Sequence, residues 1–279
     1  MVFLNKNIEK ISDYPFDRLR KLLAKIKTPK DCNELNLSIG QPYQEIPNFI
    51  FDIISEHKDK WNLYPPINGI PELNNAYIKW IERRFKIPNF INEYNILPLS
   101  GTREGLFSIA LSLDINNIII PNPFYQVYLG ASLFQNPLVS FINVNESSNF
   151  LMDLSKLELE LKKKKSLVYF CSPTNPQGKM ASFFYLESLI KVVRKNNSIL
   201  IVEECYIDIF SSKSPIGSLE VCYKLKKNLN NILVFHSLSK RSNVAGLRSG
   251  FVAGDKNIID IYKKLRSYSA PTIPVPLQY

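Results

Sequence analysis

The sequence predicts an α/β protein: three layers, with helices on both faces of a mostly parallel, seven-stranded sheet. Three observations predict it. From Asn95 onward, short apolar runs alternate with helical patterns, the mark of a parallel or mixed sheet. Several runs are apolar at successive positions, as in Ile199-Leu200-Ile201-Val202, which suits a strand covered on both faces. The stretches between them repeat apolar residues at i, i+3, i+4 and i+7, one core-facing stripe each.

Taken in chain order, Phe16, Leu19, Leu22, Leu23 and Ile26 mark an N-terminal amphipathic helix. The stretch from Asn36 to Pro66, interrupted by Pro42, Pro47, Pro65 and Pro66, reads as an extended connection. A second helix, carrying Leu73, Tyr77, Trp80 and Ile81, opens at Pro71, because a fixed φ and a missing N–H suit a first helical turn. The strands follow at Ile96–Leu99, Ile118–Ile120, Ser140–Val144, Leu167–Cys171, Ile199–Glu203, Ile232–His236 and Gly250–Ala253. Between them fall helices marked by Leu106, Ile109, Ala110 and Leu113, and by Leu186, Leu189, Ile190 and Val193. A last one is marked by Ile258, Ile261, Tyr262 and Leu265. Beyond it come Pro271, Pro274 and Pro276, and no further helix is expected.

Composition narrows the class. The chain has 279 residues, 45% hydrophobic and 22% charged, which is globular and excludes disorder, collagen-like repeats and coiled coil. Lys+Arg 35 against Asp+Glu 25 gives a net charge of +10, suited to an anionic ligand, an acidic surface or nucleic acid. No DNA-binding motif or basic stripe with interleaved aromatics supports the last of these. Cys32, Cys171, Cys205 and Cys222 form no CxxC pair, there is no charged-then-apolar leader, and no apolar run reaches membrane-spanning length. A cytoplasmic protein is expected. His57 and His236 have no metal-ligand spacing with the cysteines, so no metal site is expected.

The most informative segment is Ile232 to Arg241, a buried strand running into a small-residue turn that carries Lys240. A lysine just past a core strand is partly desolvated, which lowers its pKa and frees the amine as a nucleophile toward carbonyls. Eight residues on, Arg248 precedes a new strand, where its planar fork suits a phosphate. Leu99-Ser100-Gly101-Thr102-Arg103-Glu104-Gly105 joins a strand end to a glycine turn, offering backbone N–H groups and a hydroxyl to an anion. It lacks the Walker lysine and the dinucleotide glycine spacing, so a small phosphate is favoured over a nucleotide. Asn122-Pro123-Phe124-Tyr125 sets an aromatic ring at another strand end. Ser172 to Gly178 offers Asn175 at the carboxyl edge of the sheet, where ligands of open α/β sheets bind. Val202-Glu203-Glu204-Cys205-Tyr206 closes a buried strand with a carboxylate that needs a cationic partner.

In this order the segments resemble the fold-type-I aminotransferases, which use pyridoxal 5′-phosphate (PLP), over essentially the whole chain. The resemblance is to the bacterial N-succinyldiaminopimelate aminotransferases in particular. It rests on Tyr14-Pro15-Phe16 with Leu19-Arg20, Leu37-Ser38-Ile39-Gly40, Pro121 to Gln126, and Ser237 to Val244. It implies an N-terminal arm and helix at 1–45, making small-domain or dimer contacts, and a PLP-binding large domain at 46–279. Lys240 would hold the cofactor covalently and shuttle the substrate proton. Gly101, Thr102, Ser237, Ser239 and Arg248 would hold the phosphate, and Tyr125 would stack on the pyridine ring. Asn175 and Tyr206 would donate to its phenolic oxygen. Tyr64 resembles the tyrosine that reaches the neighbouring subunit's phosphate, implying a homodimer, and Gly40 the glycine beside the substrate carboxylate. The implied reaction is ping-pong transfer between N-succinyl-LL-2,6-diaminopimelate and 2-oxoglutarate, in lysine and diaminopimelate biosynthesis. Aspartate, alanine or aromatic substrates, or a non-catalytic PLP-binding relic, are the alternatives.

The pattern is broken in three places. Where the family has aspartate paired with the pyridine nitrogen, this sequence has Glu203, with about 1.5 Å more reach. Glu204 is expected to point to the opposite face. Gln177 stands where threonine is usual. The sequence also ends before the small-domain segment that carries the family's carboxylate-clamping arginine, so truncation is expected.

Overall fold

The computed structural model describes residues 5–9, 13–33, 35–132, 137–269 and 272–279. In chain order the helices are α1 (Lys6–Glu9), α2 (Pro15–Leu23), α3 (Phe49–Glu56) and α4 (Pro71–Phe85). Then come β1 (Ile96–Leu99), α5 (Thr102–Ser108), β2 (Asn117–Asn122), α6 (Gln126–Ser132), β3 (Leu138–Asn143) and α7 (Leu154–Leu161). They are followed by β4 (Ser166–Cys171), α8 (Phe183–Lys195), β5 (Ile199–Glu203), α9 (Ser218–Lys224) and β6 (Ile232–Ser237). The chain closes with α10 (Leu238–Arg241), β7 (Gly250–Gly254) and α11 (Lys256–Ser269).

All seven expected strands join one sheet in the order β1-β7-β6-β5-β4-β2-β3. β3, β2, β4, β5 and β6 are mutually parallel, and β7 runs antiparallel to both β6 and β1. The parallel strands and β1 therefore end on one edge, which gathers Leu99, Asn122, Cys171, Glu203 and Ser237 together with Gly250 at the start of β7. Alternate residues of β5 serve the two faces. Leu200 and Val202 pack against α4, α7, α8 and α9, whereas Ile201 faces α5, α6 and α11. Each fully buried aliphatic of this kind contributes about 1.5–3 kcal/mol through removal from water.

Local chemistry fixes the helix ends. Asp153 accepts from the Ser155 and Lys156 N–H groups at the start of α7, and Ser182 from Tyr185 N–H at the start of α8. A buried cluster ties α11 to α5: Arg266 pairs with Glu104, and Tyr262 lies 2.6 Å from Ser108 Oγ and 3.2 Å from Glu104.

Three expectations are corrected. The connection from Asn36 to Pro66 is not extended throughout, since it contains α3 and a 3₁₀ turn at Lys58–Asn62. Phe49, Ile50, Ile53 and Ile54 give that stretch helical spacing, and Pro47 lies outside it. The helix marked by Leu106 to Leu113 tightens after Ser108 into a 3₁₀ turn, Ile109–Ser112. After the last prolines a 3₁₀ turn forms at Val275–Gln278, where buried Gln278 accepts from Ile70 N–H at 2.8 Å and donates to the Ile273 carbonyl at 2.7 Å. Among the described residues no helix is long and apolar enough to cross a membrane.

Candidate active site

A cleft of ≈ 1120 Å³ opens on the edge where the parallel strands end. Its walls include Gly40, Thr102, Tyr125, Asn175, Glu203, Tyr206, Ser237, Ser239, Lys240 and Arg248, ten of the residues expected from the sequence. Gly101 lies just behind them, with φ +81°, and a Cβ there would overlap the Arg248 guanidinium. Tyr64 is elsewhere, 100% exposed.

Each side chain is held by its own local structure. β6 delivers Ser237, whose hydroxyl accepts from Ser239 N–H at 3.1 Å and caps α10, the turn carrying Lys240. Arg241, next in the chain, lies 3.1 Å from Asp208 and 4.7 Å over the Trp80 ring, so the lysine turn is pinned from behind. The Lys240 ammonium donates to the Gly40 carbonyl, linking the amine to the N-terminal segment. Burial holds Lys240 below the usual lysine range, Cys205 and Glu203 oppose this, and Arg248 adds to it. After β4, Thr174 and Lys179 close a turn through Thr174 N–H to the Lys179 carbonyl at 2.8 Å, which presents Asn175 to the cleft. Arg248 sits in the left-handed region at φ +55° and donates to the Ala245 carbonyl at 2.8 Å, which folds its guanidinium toward the Gly101 turn. The Thr102 hydroxyl lies 3.2 Å from Cys205 Sγ.

Glu203 and Glu204 part at the end of β5 as strand alternation requires. Glu203 faces the cleft and accepts from the Tyr128 hydroxyl. Burial raises its pKa, opposed by hydrogen bonds from Tyr128 and Cys205 and by the Lys240 charge. Glu204 points to the other face, where it accepts from Ser218 N–H at 2.6 Å and lies 3.5 Å from His236 Nε2. Burial pushes Glu204 up to about 7 and His236 down to about 3. The signs oppose each other. His236 refuses a proton that the unfolded chain takes up below about 6.5, so it costs stability on acidification. Glu204 retains a proton that the unfolded chain loses above about 4.5, so it costs stability as pH rises toward 7.

Sequence reasoning assigned no role to Arg103 and missed Tyr128. Arg103 lines the cleft and donates to the Tyr125 hydroxyl and the Tyr14 hydroxyl, both at 2.9 Å, with no carboxylate partner among the described residues. The available signal was its place directly after Thr102. Tyr128 follows Tyr125 by three residues, a helical spacing that puts both on one side of the segment.

These residues fit PLP. The Gly101 cradle receives the Arg248 guanidinium where a side chain would exclude it, with the Thr102, Ser237 and Ser239 hydroxyls on the same cleft wall. A desolvated amine and a buried carboxylate complete the donor set that a phosphorylated pyridine aldehyde requires.

Comparison with known proteins agrees. The family profile "Aminotransferase class I and II" matches residues 33–278. The chain is 28% identical over 280 residues to an LL-diaminopimelate aminotransferase of Dehalococcoides mccartyi, covering 99% of this chain and 71% of that protein. The crystal structure of an aminotransferase from Neisseria meningitidis superposes with a TM-score of 0.90 at 35% identity, covering 99% of this chain and 72% of that one. The aminotransferase AspB of Helicobacter pylori gives 0.89 at 37% identity, covering 96% and 72%. The chain belongs to the class I and II aminotransferases, enzymes that depend on PLP.

Proposed function

We propose that the chain transfers an amino group between N-succinyl-LL-2,6-diaminopimelate and 2-oxoglutarate, in the cytoplasm and as a homodimer. The observation that carries the substrate reading is the charge of the cleft. Among the described residues, Arg103, Lys213, Lys240 and Arg248 line it against one carboxylate, Glu203. With Arg248 engaged by phosphate, Arg103 remains for a second substrate carboxylate, which its planar fork can grip. Phe16, Ile39, Met180, Ile209 and Phe210 line the rest of the cleft and suit a longer acyl arm. The diaminopimelate names of curated relatives support the same carbon skeleton. Those relatives are named for the unacylated LL-diaminopimelate, which is the second reading.

When bound, PLP supplies the electron sink that lets the substrate Cα–H bond break. In this reading the chain supplies position and proton movement. Thr102, Ser237, Ser239 and Arg248, with the Gly101 turn, grip the phosphate and fix the ring's register. Tyr125 covers one ring face, and Asn175 and Tyr206 donate to the phenolic oxygen. Glu203 holds a proton on the ring nitrogen. Lys240, once its amine is free, would take the proton from substrate Cα and deliver it to the cofactor's C4′ carbon, across the intervening nitrogen. Gly40, whose carbonyl Lys240 already meets, lies beside the substrate carboxylate. Tyr64, fully exposed beside the half-exposed Leu63 and Trp61, would reach the partner's phosphate in the dimer.

A substrate panel with 2-oxoglutarate as acceptor tests the reading. N-succinyl-LL-2,6-diaminopimelate should exceed aspartate, alanine and phenylalanine at least tenfold in kcat/KM. Arg103→Gln should cut that value roughly 10–100-fold for dicarboxylates and leave monocarboxylates within threefold, the loss of a charge-assisted bond of about 1.5–3 kcal/mol. Preference for LL-diaminopimelate would move the assignment to the second reading, and preference for alanine would overturn both.

A further inference from the structure

Glu203 is fixed at its backbone, because the sheet registers it between Cys171 of β4 and Phe235 of β6. A glutamate in that place cannot retreat along the strand, so its extra methylene has to be absorbed by the side chain. The structure contains the group that absorbs it. The Tyr128 hydroxyl, on α6, donates to Glu203 Oε2. Tyr128 itself has little freedom. Its ring stacks on Tyr169 at 4.7 Å and 15°, and Tyr169 is anchored by donating to the Leu106 carbonyl at 2.7 Å. Tyr125, whose ring lines the cleft, meets Tyr128 edge-on at 5.7 Å and 85°. Tyr128 thus joins Tyr125 on the cleft wall to Glu203, the only carboxylate lining the cleft among the described residues.

We propose that Tyr128 is a positioning residue for this aminotransferase, its hydroxyl fixing the place of the longer Glu203 carboxylate at the end of β5. The proposal rests on the reading that Glu203 serves the cofactor's ring nitrogen. The groups facing Glu203 are Tyr128 from α6, Cys171 from β4, Cys205 and Tyr206 from the turn after β5, Tyr125, and Lys240 from α10. Two of them donate hydrogen bonds to the carboxylate, Tyr128 and Cys205, and only the phenol is a strong donor. Burial favours the uncharged acid, and the hydrogen bond from Tyr128 opposes it most strongly. Loss of that hydroxyl therefore both frees the side chain and weakens its charge.

The test is a double-mutant cycle on the PLP-loaded enzyme, read by the pH titration of the bound cofactor's absorbance as well as by kinetics. Tyr128→Phe keeps the ring stack and removes the donor. It should move the titration midpoint by about one pH unit, equivalent to a tenfold change in proton affinity, and lower kcat roughly tenfold with KM within twofold. In the Glu203→Asp background the shortened carboxylate no longer meets the hydroxyl, and the same substitution should change both readouts less than twofold. Site-specific 3-fluorotyrosine at 128, a fold-preserving change that strengthens donation, should move the midpoint the opposite way. Equal losses from Tyr128→Phe in both backgrounds, or an unmoved midpoint, would overturn the proposal. Glu203→Gln separates the failures. If it leaves the cofactor's spectrum and titration unchanged, the Glu203 assignment falls and the Tyr128 proposal with it. If it changes them while Tyr128→Phe does not, only the Tyr128 proposal falls.

Discussion

Gly101→Ala isolates the turn on which the cofactor reading depends. Gly101 has φ +81° and ψ 149°, a conformation that residues with a Cβ avoid, and an added methyl would overlap the Arg248 guanidinium. The backbone term costs about 1–3 kcal/mol, which in a chain of this size lowers Tm by roughly 3–8 °C. The overlap acts on a different quantity. Arg248 must leave the turn, and a charge-assisted bond to phosphate of about 1.5–3 kcal/mol goes with it, so the PLP dissociation constant should rise roughly 10–100-fold. Gly178→Ala is the control, because Gly178 has φ +72° with nothing within 4 Å of its Cβ position. It should lose similar thermal stability yet keep PLP affinity within threefold. The assays are thermal unfolding of the apoprotein and a fluorescence titration with PLP. If Gly101→Ala loses stability but binds PLP within twofold of the parent, Arg248 does not hold the phosphate at this turn.

Two further substitutions test the frame around the site. Glu104→Ala removes the partner of Arg266, whose side chain is 2% exposed; urea unfolding should show a loss of about 3 kcal/mol, and a loss below about 1 kcal/mol would mean the α5–α11 pair is not a support. His236→Phe removes one of the two opposing titrations behind β5, leaving Glu204, pushed up to about 7, unopposed. On acidification from pH 6.5 to 4.5 the variant should gain stability over the parent by roughly 1.4 kcal/mol per pH unit, and parallel urea-derived profiles would show that His236 is not held neutral.

The sheet was legible because its strands are buried on both faces, so their apolar runs stand out without any knowledge of neighbours. β3, at the sheet edge with Leu138 and Phe141 exposed, was placed two residues late for the same reason in reverse. Glu203 against Glu204 was legible from strand alternation, and Lys240 from a strand end followed by small residues. Strand order was not legible, since spacing alone does not specify which strands pair, and the convergence of Asn175, Tyr206 and Arg248 on one site was implied only by the family resemblance. Tyr128 and Arg103 escaped because their meaning lies in long-range partners. A tyrosine in an apolar helix face reads as core until its hydroxyl is seen on Glu203. An arginine after a glycine turn reads as surface until it is seen on the cleft wall, donating to the Tyr125 and Tyr14 hydroxyls.

Lys240, on the turn after β6, is proposed as the amine that holds PLP in this cleft. The direct measurement is an absorbance spectrum of the purified chain with added PLP, then borohydride reduction and peptide mapping, with Lys240→Ala in parallel. A visible-range band is expected in the parent and absent in the variant, with the reduced cofactor on the peptide containing Lys240. A folded chain with no band, or a label carried by another lysine, would contradict it.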